Sequence, residues 1–146
     1  MNINQLVLEA VNKDFKSALI IIDVVNSCAD KRWEMPEWGL TYNKIRTMIP
    51  KLVKFIDWYK KNTNGLVIYI NVVPWIEKNL PKNINKLYND NPDAKFYTTY
   101  KPEESIKFYK VKPKSDDIVI TKNSYDAFSS PKLQQVLKKN NINHIP

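Results

Sequence analysis

The chain has 146 residues, of which 43% are hydrophobic and 26% are charged, and its formal net charge is +8. This length and composition exclude a disordered chain and predict one compact domain over residues 1–146. No apolar run approaches the roughly 18 residues of a membrane span, and the amino terminus lacks the features of a secretory signal. We therefore expect a cytoplasmic protein that does not contact membranes. Its single cysteine agrees with this expectation, because one cysteine forms no internal disulfide.

A positive net charge is typical of many proteins that bind nucleic acids. Here, however, only Arg32 and Arg46 are arginines, and arginine is the usual bidentate reader of phosphates and bases. The lysines are spread along the chain among asparagines, as in "KNLPKNINKLYNDN", and form no basic stripe. We therefore expect no nucleic-acid partner.

The first half of the chain predicts a strand, a helix and a second strand. The apolar runs "ALIIIDVV" (18–25) and "GLVIYINVV" (65–73) are continuous, which is typical of strands buried on both faces of a parallel sheet. Between them, residues 41–62 have apolar side chains at spacings of three and four, which predicts a helix. Pro50 interrupts this pattern, so either the helix kinks there or its regular part begins near it. The Asn-Gly pair at 64–65 predicts the end of the helix.

The second half of the chain begins with a long connection over residues 74–115, which contains five prolines. A connection of this length usually shapes a site or contains short helices of its own. A third strand follows in "DIVIT" (117–121), and Ser130-Pro131 predicts the start of another helix. The last residues, "NINHIP", have the pattern of a further strand that is only beginning.

Together these elements predict an α/β fold, a three-layer α/β/α sandwich around a parallel sheet. The pattern ends after the third strand and its helix, and three parallel strands seldom support two covering layers. We therefore expect either that the natural protein continues past Pro146 or that a partner chain completes the sheet.

Two opposite charges follow strands of the predicted sheet, Asp23 after the first and Lys122 after the third. Ligands of open α/β sheets bind at the carboxyl ends of the strands, so both residues are candidates for a site. A carboxylate at the end of a buried strand is costly unless it is paired, and Lys122 is a suitable partner. The alternatives are that Asp23 caps a turn and that Lys122 only marks where the strand meets solvent.

The two segments that carry these charges resemble the isochorismatase-like cysteine hydrolase family. The resemblance covers about residues 17–146, and it rests on "LIIIDVVNSC", "NGLVIYINVVPW" and "DIVITKNSYDAFSSPKLQQVLKKNNI". It implies an aspartate, lysine and cysteine triad that hydrolyses a small amide or a related carbon–nitrogen substrate. Asp23 would be the general base that accepts the thiol proton, and Lys122 would orient and stabilise the charged pair. The resemblance also implies a small-molecule substrate and a homo-oligomer.

The chain departs from the family pattern at the nucleophile, because the family's cysteine would lie beyond Pro146. Cys28 lies on the loop after the first strand, and we expect it to be a packing residue. The chain would thus contain two of the three triad residues and be inactive by itself. The alternatives are a binding or assembly module without catalysis and a hydrolase that needs no cysteine, as in the subgroup around isochorismatase itself.

No cofactor and no metal are expected. The nicotinamidase branch of the family has an Asp-x-His cluster after the second strand, where this chain has "VVPWIEKN", and His144 is its one histidine. Several aromatic residues also follow predicted strand ends, and they either wall a small apolar pocket or pack in the core or a lid: Trp33, Trp38, Trp75, Tyr125 and Phe128.

Overall fold

The computed structural model describes residues 16–145 together with Asn4, Gln5 and Leu8. Its first half contains the predicted strand, helix and strand, with shorter elements between the first strand and the long helix. Strand β1 spans Ala18–Ile22, the short helix α1 spans Asn26–Ala29, the long helix α2 spans Asn43–Asn62, and strand β2 spans Leu66–Val72. Two single turns of 3₁₀ helix, Lys31–Trp33 and Pro36–Trp38, connect α1 to α2.

The second half contains two short helices before the third strand, as the long connection predicts. Helix α3 spans Lys82–Asp90 and helix α4 spans Pro102–Ser105, with turns of 3₁₀ helix at Glu77–Asn79 and Pro92–Ala94. Strand β3 spans Ile118–Lys122, so Lys122 is its last residue, and helix α5 spans Pro131–Lys139. Ser130 precedes α5 as predicted, although its side chain makes no capping hydrogen bond.

The three strands form one parallel sheet in the order β1-β2-β3. Ile20, Ile68 and Ile118 lie side by side across it, which fixes the register of all three strands. Beyond α5, His144 forms a parallel bridge with Ser17, and the amide of Ala18 donates to the His144 carbonyl at 3.1 Å. The chain therefore returns to the amino end of β1, where "NINHIP" starts to pair as a strand.

Each face of the sheet is covered by a helix, which confirms the three-layer prediction. Alternation of side chains along a strand sends Leu19 and Ile21 to one face, where they pack with residues of α2. Ala18, Ile68 and Ile120 face the other way and pack with Leu133 of α5. None of the helices in the described part of the chain is long and apolar enough to cross a membrane.

Helix α2 shows how the sequence signals at Pro50 and Gly65 are used. The helix begins at Asn43, ahead of Pro50, so its regular part does not start at the proline. It ends before Gly65, where the amide and hydroxyl of Thr63 both donate to the Tyr59 carbonyl. A Cβ on Gly65 would lie 2.0 Å from Tyr59 Oη, so this glycine provides room for a close contact.

Candidate functional site

The structure brings Asp23 and Lys122 together at the carboxyl end of the sheet. They follow or end the two outer strands, so the Lys122 side chain has to reach past β2. Lys122 Nζ lies 2.9 Å from Asp23 Oδ2, and the Lys122 side chain is only 3% exposed, against 34% for Asp23. Lys122 therefore does not mark a point where the strand meets solvent. Its charge is buried and is compensated by the Asp23 carboxylate.

The ammonium group of Lys122 has all three of its N–H donors engaged. Besides the carboxylate, Nζ donates to the carbonyls of Ser124 at 2.9 Å and Tyr125 at 3.1 Å. These two carbonyls belong to the turn that directly follows β3, so the local chain wraps around its own lysine. Because an ammonium has three donors and no acceptor, this arrangement fixes the position of the charge.

Asp23 is held in a strained conformation with one carboxylate oxygen unused. Its φ is 55°, in the left-handed region that few residues other than glycine adopt, and its amide donates to the Ile70 carbonyl at 3.0 Å. Asp23 Oδ1 is buried and has no hydrogen-bond partner among the described residues, and no backbone amide there donates to this side chain. The Asp23 side chain therefore does not cap the turn, which was the alternative interpretation of this residue. Strain of this kind occurs preferentially at functional sites.

Cys28 lies in α1, close enough to this ion pair to respond to its charges. Burial raises the pKa of its thiol, and the Asp23 carboxylate raises it further, whereas contact with Ser27 and the charge of Lys122 oppose the rise. The thiol is half-buried, with Sγ 3.9 Å from Ser27 Oγ. Cys28 is consequently a protonated thiol at neutral pH, in line with the expected packing role.

An aromatic cluster supports the turn that holds Lys122. Trp75 Nε1 donates to Tyr88 Oη at 3.0 Å, and Tyr88 Oη lies 3.0 Å from Tyr125 Oη. The rings of Trp75 and Tyr125 lie 5.0 Å apart between centroids. Since the Tyr125 carbonyl accepts from Lys122, the cluster connects the long connection to the ion pair. Tyr88 was not anticipated as part of the site; its only sequence signal is an apolar spacing of four from Ile84 in α3.

The five aromatic residues singled out from the sequence divide into two groups. Trp33 and Trp75 are buried and pack, whereas Trp38, Tyr125 and Phe128 are at least 45% exposed. Of these three, Tyr125 belongs to the turn that holds Lys122, because its carbonyl accepts from Nζ. Two of the five aromatic residues are therefore packing residues, and three leave aromatic surface exposed.

Residues 100–109 close over the loop that follows β1. Asn26 Nδ2 donates to the Glu104 carbonyl at 2.8 Å, Trp33 Nε1 donates to the Tyr100 carbonyl at 3.0 Å, and Val25 bridges Phe108. The long connection thus shapes the surroundings of Asp23, which is one of the two roles predicted for it.

No grouping of three or more histidine, cysteine, aspartate and glutamate side chains suited to a metal occurs among residues 4, 5, 8 and 16–145. His144 lies beside the amino end of β1, which is the opposite end of that strand from Asp23. The two arginines are also engaged elsewhere. Arg32 pairs with Asp30 at 2.9 Å and Arg46 with Glu34 at 2.6 Å.

Comparison with known proteins assigns the chain to a family. The family model described as the isochorismatase domain matches residues 17–145, which is nearly the whole chain. The chain belongs to the isochorismatase family. No curated protein matches it significantly.

Solved structures of isochorismatase-like proteins share the fold. N-carbamoylsarcosine amidase from Thermoplasma acidophilum superposes with a TM-score of 0.63 at 19% identity, over 90% of this chain and 65% of the amidase. An isochorismatase-like hydrolase from Alkaliphilus metalliredigens gives 0.62 at 20% identity, over 89% and 64%. An isochorismatase family protein from Desulfovibrio vulgaris subsp. vulgaris str. Hildenborough gives 0.63 at 15% identity, over 90% and 65%. The isochorismatase domain of this chain thus spans about 65% of the length of these relatives.

Proposed function

We propose that this chain provides the general base and the charge-stabilising lysine of a hydrolase that cleaves a small amide or related carbon–nitrogen bond. The observation that carries the proposal is the buried ion pair between Lys122 and Asp23, with Asp23 Oδ1 buried and unpartnered beside it. One oxygen of the carboxylate is engaged by the ammonium, and the other is available to accept a proton.

In the proposed mechanism, Asp23 takes the proton of a cysteine thiol through Oδ1, and the resulting thiolate attacks the carbonyl carbon of the substrate. As the carbon–nitrogen bond breaks, Asp23 delivers this proton to the leaving nitrogen, the amine departs, and a thioester remains. Water then attacks the thioester carbonyl while Asp23 accepts a proton from it. The carbon–sulfur bond breaks, Asp23 returns the proton to the cysteine thiolate, and the carboxylic acid is released. Lys122 stabilises the carboxylate throughout and fixes its orientation.

The attacking cysteine is proposed to come from outside residues 1–146. Cys28 is a poor nucleophile because burial raises the pKa of its thiol, and it lies on a helix of only four residues. The substrate class rests on the family and on the structural neighbour that is described as an amidase. The exposed ring of Tyr125, a residue whose carbonyl accepts from Lys122, favours a substrate with a small apolar part.

A second candidate function is a binding or assembly module without catalysis, or a hydrolase that needs no cysteine. The protonated state of Cys28 favours this alternative if no other cysteine joins the site. Both alternatives retain the ion pair, as a structural element in the first and as an active group in the second. We also propose a small-molecule substrate and a homo-oligomer, which the family resemblance implies. The cytoplasmic location is proposed from the sequence.

The first test is to read the codons that follow Pro146 in the gene. A short strand followed by glycine and a Cys-Val pair at a helix start supports the cysteine hydrolase, whereas a stop codon supports the module. The second test measures release of ammonia from a panel of small primary amides by the protein that the whole gene encodes. We expect Asp23→Asn and Lys122→Gln to abolish hydrolysis and Cys28→Ser to leave it unchanged. Full activity in Asp23→Asn would refute the assignment. Asp116→Asn and Lys139→Gln make the same two changes at exposed residues and serve as matched controls.

A further inference from the structure

A cavity lies on the α2 face of the sheet. It has a volume of about 210 Å³ and is bounded by α2, β2 and the segment that precedes β3. Its apolar wall consists of Val53, Ile56 and Val111, of which Ile56 and Val111 are buried core residues. Neither Asp23 nor Lys122 lines it.

Tyr69 of β2 lines this cavity with a side chain that is 1% exposed. Its ring packs edge-on against Phe108 at 5.6 Å between centroids, so the side chain is fixed in place. No hydrogen bond to its hydroxyl occurs among the described residues. Burial, with added repulsion from Asp117 and Asp57, raises the pKa of this phenol to about 12, so the hydroxyl stays a donor at any physiological pH. The hydroxyl is therefore an unused donor at this cavity, where a ligand or a water can accept its hydrogen bond.

The rim of the cavity is strongly basic. Lys110, Lys112 and Lys114 line it and take part in none of the ion pairs in the described part of the chain. A fourth lysine, Lys60, is already neutralised by Asp117 at 2.5 Å. Asp57 is the one carboxylate among the lining residues, so positive charge is in excess there.

We propose that this cavity binds a small organic anion, with a carboxylate head and a compact apolar body. The apolar wall would take the body, the Tyr69 hydroxyl would donate to the carboxylate, and the uncompensated lysines would attract its charge. The cavity is smaller than the roughly 300–1,000 Å³ of pockets for drug-sized ligands, which limits the ligand to about ten heavy atoms. A neutral ligand would not use the lysines, and an inorganic anion would not use the wall.

The test uses benzoate as the probe, with benzyl alcohol as its neutral counterpart and inorganic phosphate as the anion without an apolar body. Binding to the protein is measured by calorimetry and by amide chemical shifts of residues 53–60 and 110–114. We expect saturable benzoate binding at about millimolar affinity or tighter, weakened by added salt, and no saturable binding of the other two probes.

Two variants and a control make the assignment specific. Tyr69→Phe removes only the hydroxyl and is expected to weaken benzoate about fivefold. The double variant Lys112→Gln/Lys114→Gln leaves the core intact and should weaken it about five- to tenfold. Lys138→Gln/Lys139→Gln removes the same charge from α5, on the other face of the sheet, and should leave binding unchanged.

The proposal is overturned if benzyl alcohol binds as well as benzoate, if no probe saturates, or if the α5 control weakens binding as much as the cavity variants. If Tyr69→Phe fails to fold, benzoate binding by the double variant Lys112→Gln/Lys114→Gln tests the proposal by itself. The outcome is independent of amide hydrolysis, because none of the varied residues contacts Asp23 or Lys122.

Discussion

Lys122 Nζ lies 2.9 Å from Asp23 Oδ2, although the two residues belong to opposite edges of a three-stranded sheet. The lysine spans the end of β2, and two carbonyls of its own turn complete its hydrogen bonding. The pair thus joins β1 to β3 directly, and its loss affects both the stability of the sheet and the proposed chemistry.

Replacing Lys122 with methionine keeps most of the side-chain volume and removes the charge. Asp23 then loses its partner, and the carbonyls of Ser124 and Tyr125 lose their shared donor. We expect a loss of about 2–3 kcal/mol in the free energy of unfolding, at the lower end for buried pairs because Asp23 is one-third exposed. Urea unfolding measures it. Lys86→Met breaks the exposed pair with Asp90 and should cost under about 1 kcal/mol, and an equal cost for both would contradict the role of burial.

Substitutions at Asp23 separate backbone strain from the ion pair. Both Asp23→Ala and Asp23→Gly remove the carboxylate, but only glycine adopts a φ near 55° without steric cost. We therefore expect Asp23→Gly to be more stable than Asp23→Ala by about 1 kcal/mol in thermal or urea unfolding. If alanine were the more stable of the two, the left-handed conformation would not carry the strain described for it.

Gly65 is predicted to tolerate no side chain, for a reason of space. A Cβ there would meet Tyr59 Oη at 2.0 Å and Ser17 Oγ at 2.8 Å, two atoms that are hydrogen-bonded to each other at 2.7 Å. Gly65→Ala should cost about 2 kcal/mol or more in the free energy of unfolding. Gly65→Ala should cost less in a Tyr59→Leu background, which lacks both clashing atoms of Tyr59, Oη at 2.0 Å and Cζ at 2.5 Å.

Gly39 provides the contrast for that experiment. It has φ 69° and open space where a Cβ would be, so Gly39→Ala should cost only about 1 kcal/mol of strain. Equal costs at Gly39 and Gly65, or an unchanged cost of Gly65→Ala in the Tyr59→Leu background, would show that the close contact is not the cause.

The reactivity of Cys28 provides a pH-dependent test of its position. Its thiol pKa is raised above the ordinary value of about 9, chiefly by burial, so the rate of alkylation by iodoacetamide should reach its plateau at a higher pH than that of an ordinary thiol. The same shift means that the folded state holds this proton more tightly than the unfolded state. Its contribution to stability is therefore fully present below pH 9 and is lost as pH rises through the folded pKa.

Charge variants identify the source of that shift. Asp23→Asn removes a negative charge near the thiol and should lower the Cys28 pKa, whereas Lys122→Met should raise it. Both are measured from the pH profile of alkylation, with the protein unfolded in urea as reference. An unchanged profile in both variants would place Cys28 outside the reach of the ion pair.

Much of the fold was predictable from local sequence. The continuous apolar runs around Ile20 and Ile68 identified buried parallel strands, and the helical spacing from Ile45 to Tyr59 identified α2. Pro50 was harder to place, because a proline predicts a boundary while seven helical residues in fact precede it. Packing against the sheet outweighs the local preference there.

The site was predictable only as two candidates. The sequence by itself determined that Asp23 and Lys122 follow buried strands of one parallel sheet, because strand burial and strand ends are local properties of the chain. It did not determine the pairing across β2, the unused Asp23 Oδ1, the contact of Tyr88 with Tyr125, or the cavity that Tyr69 shares with several lysines. The tertiary structure decided these, because each depends on side chains that are far apart in sequence and meet only when helices and strands have packed.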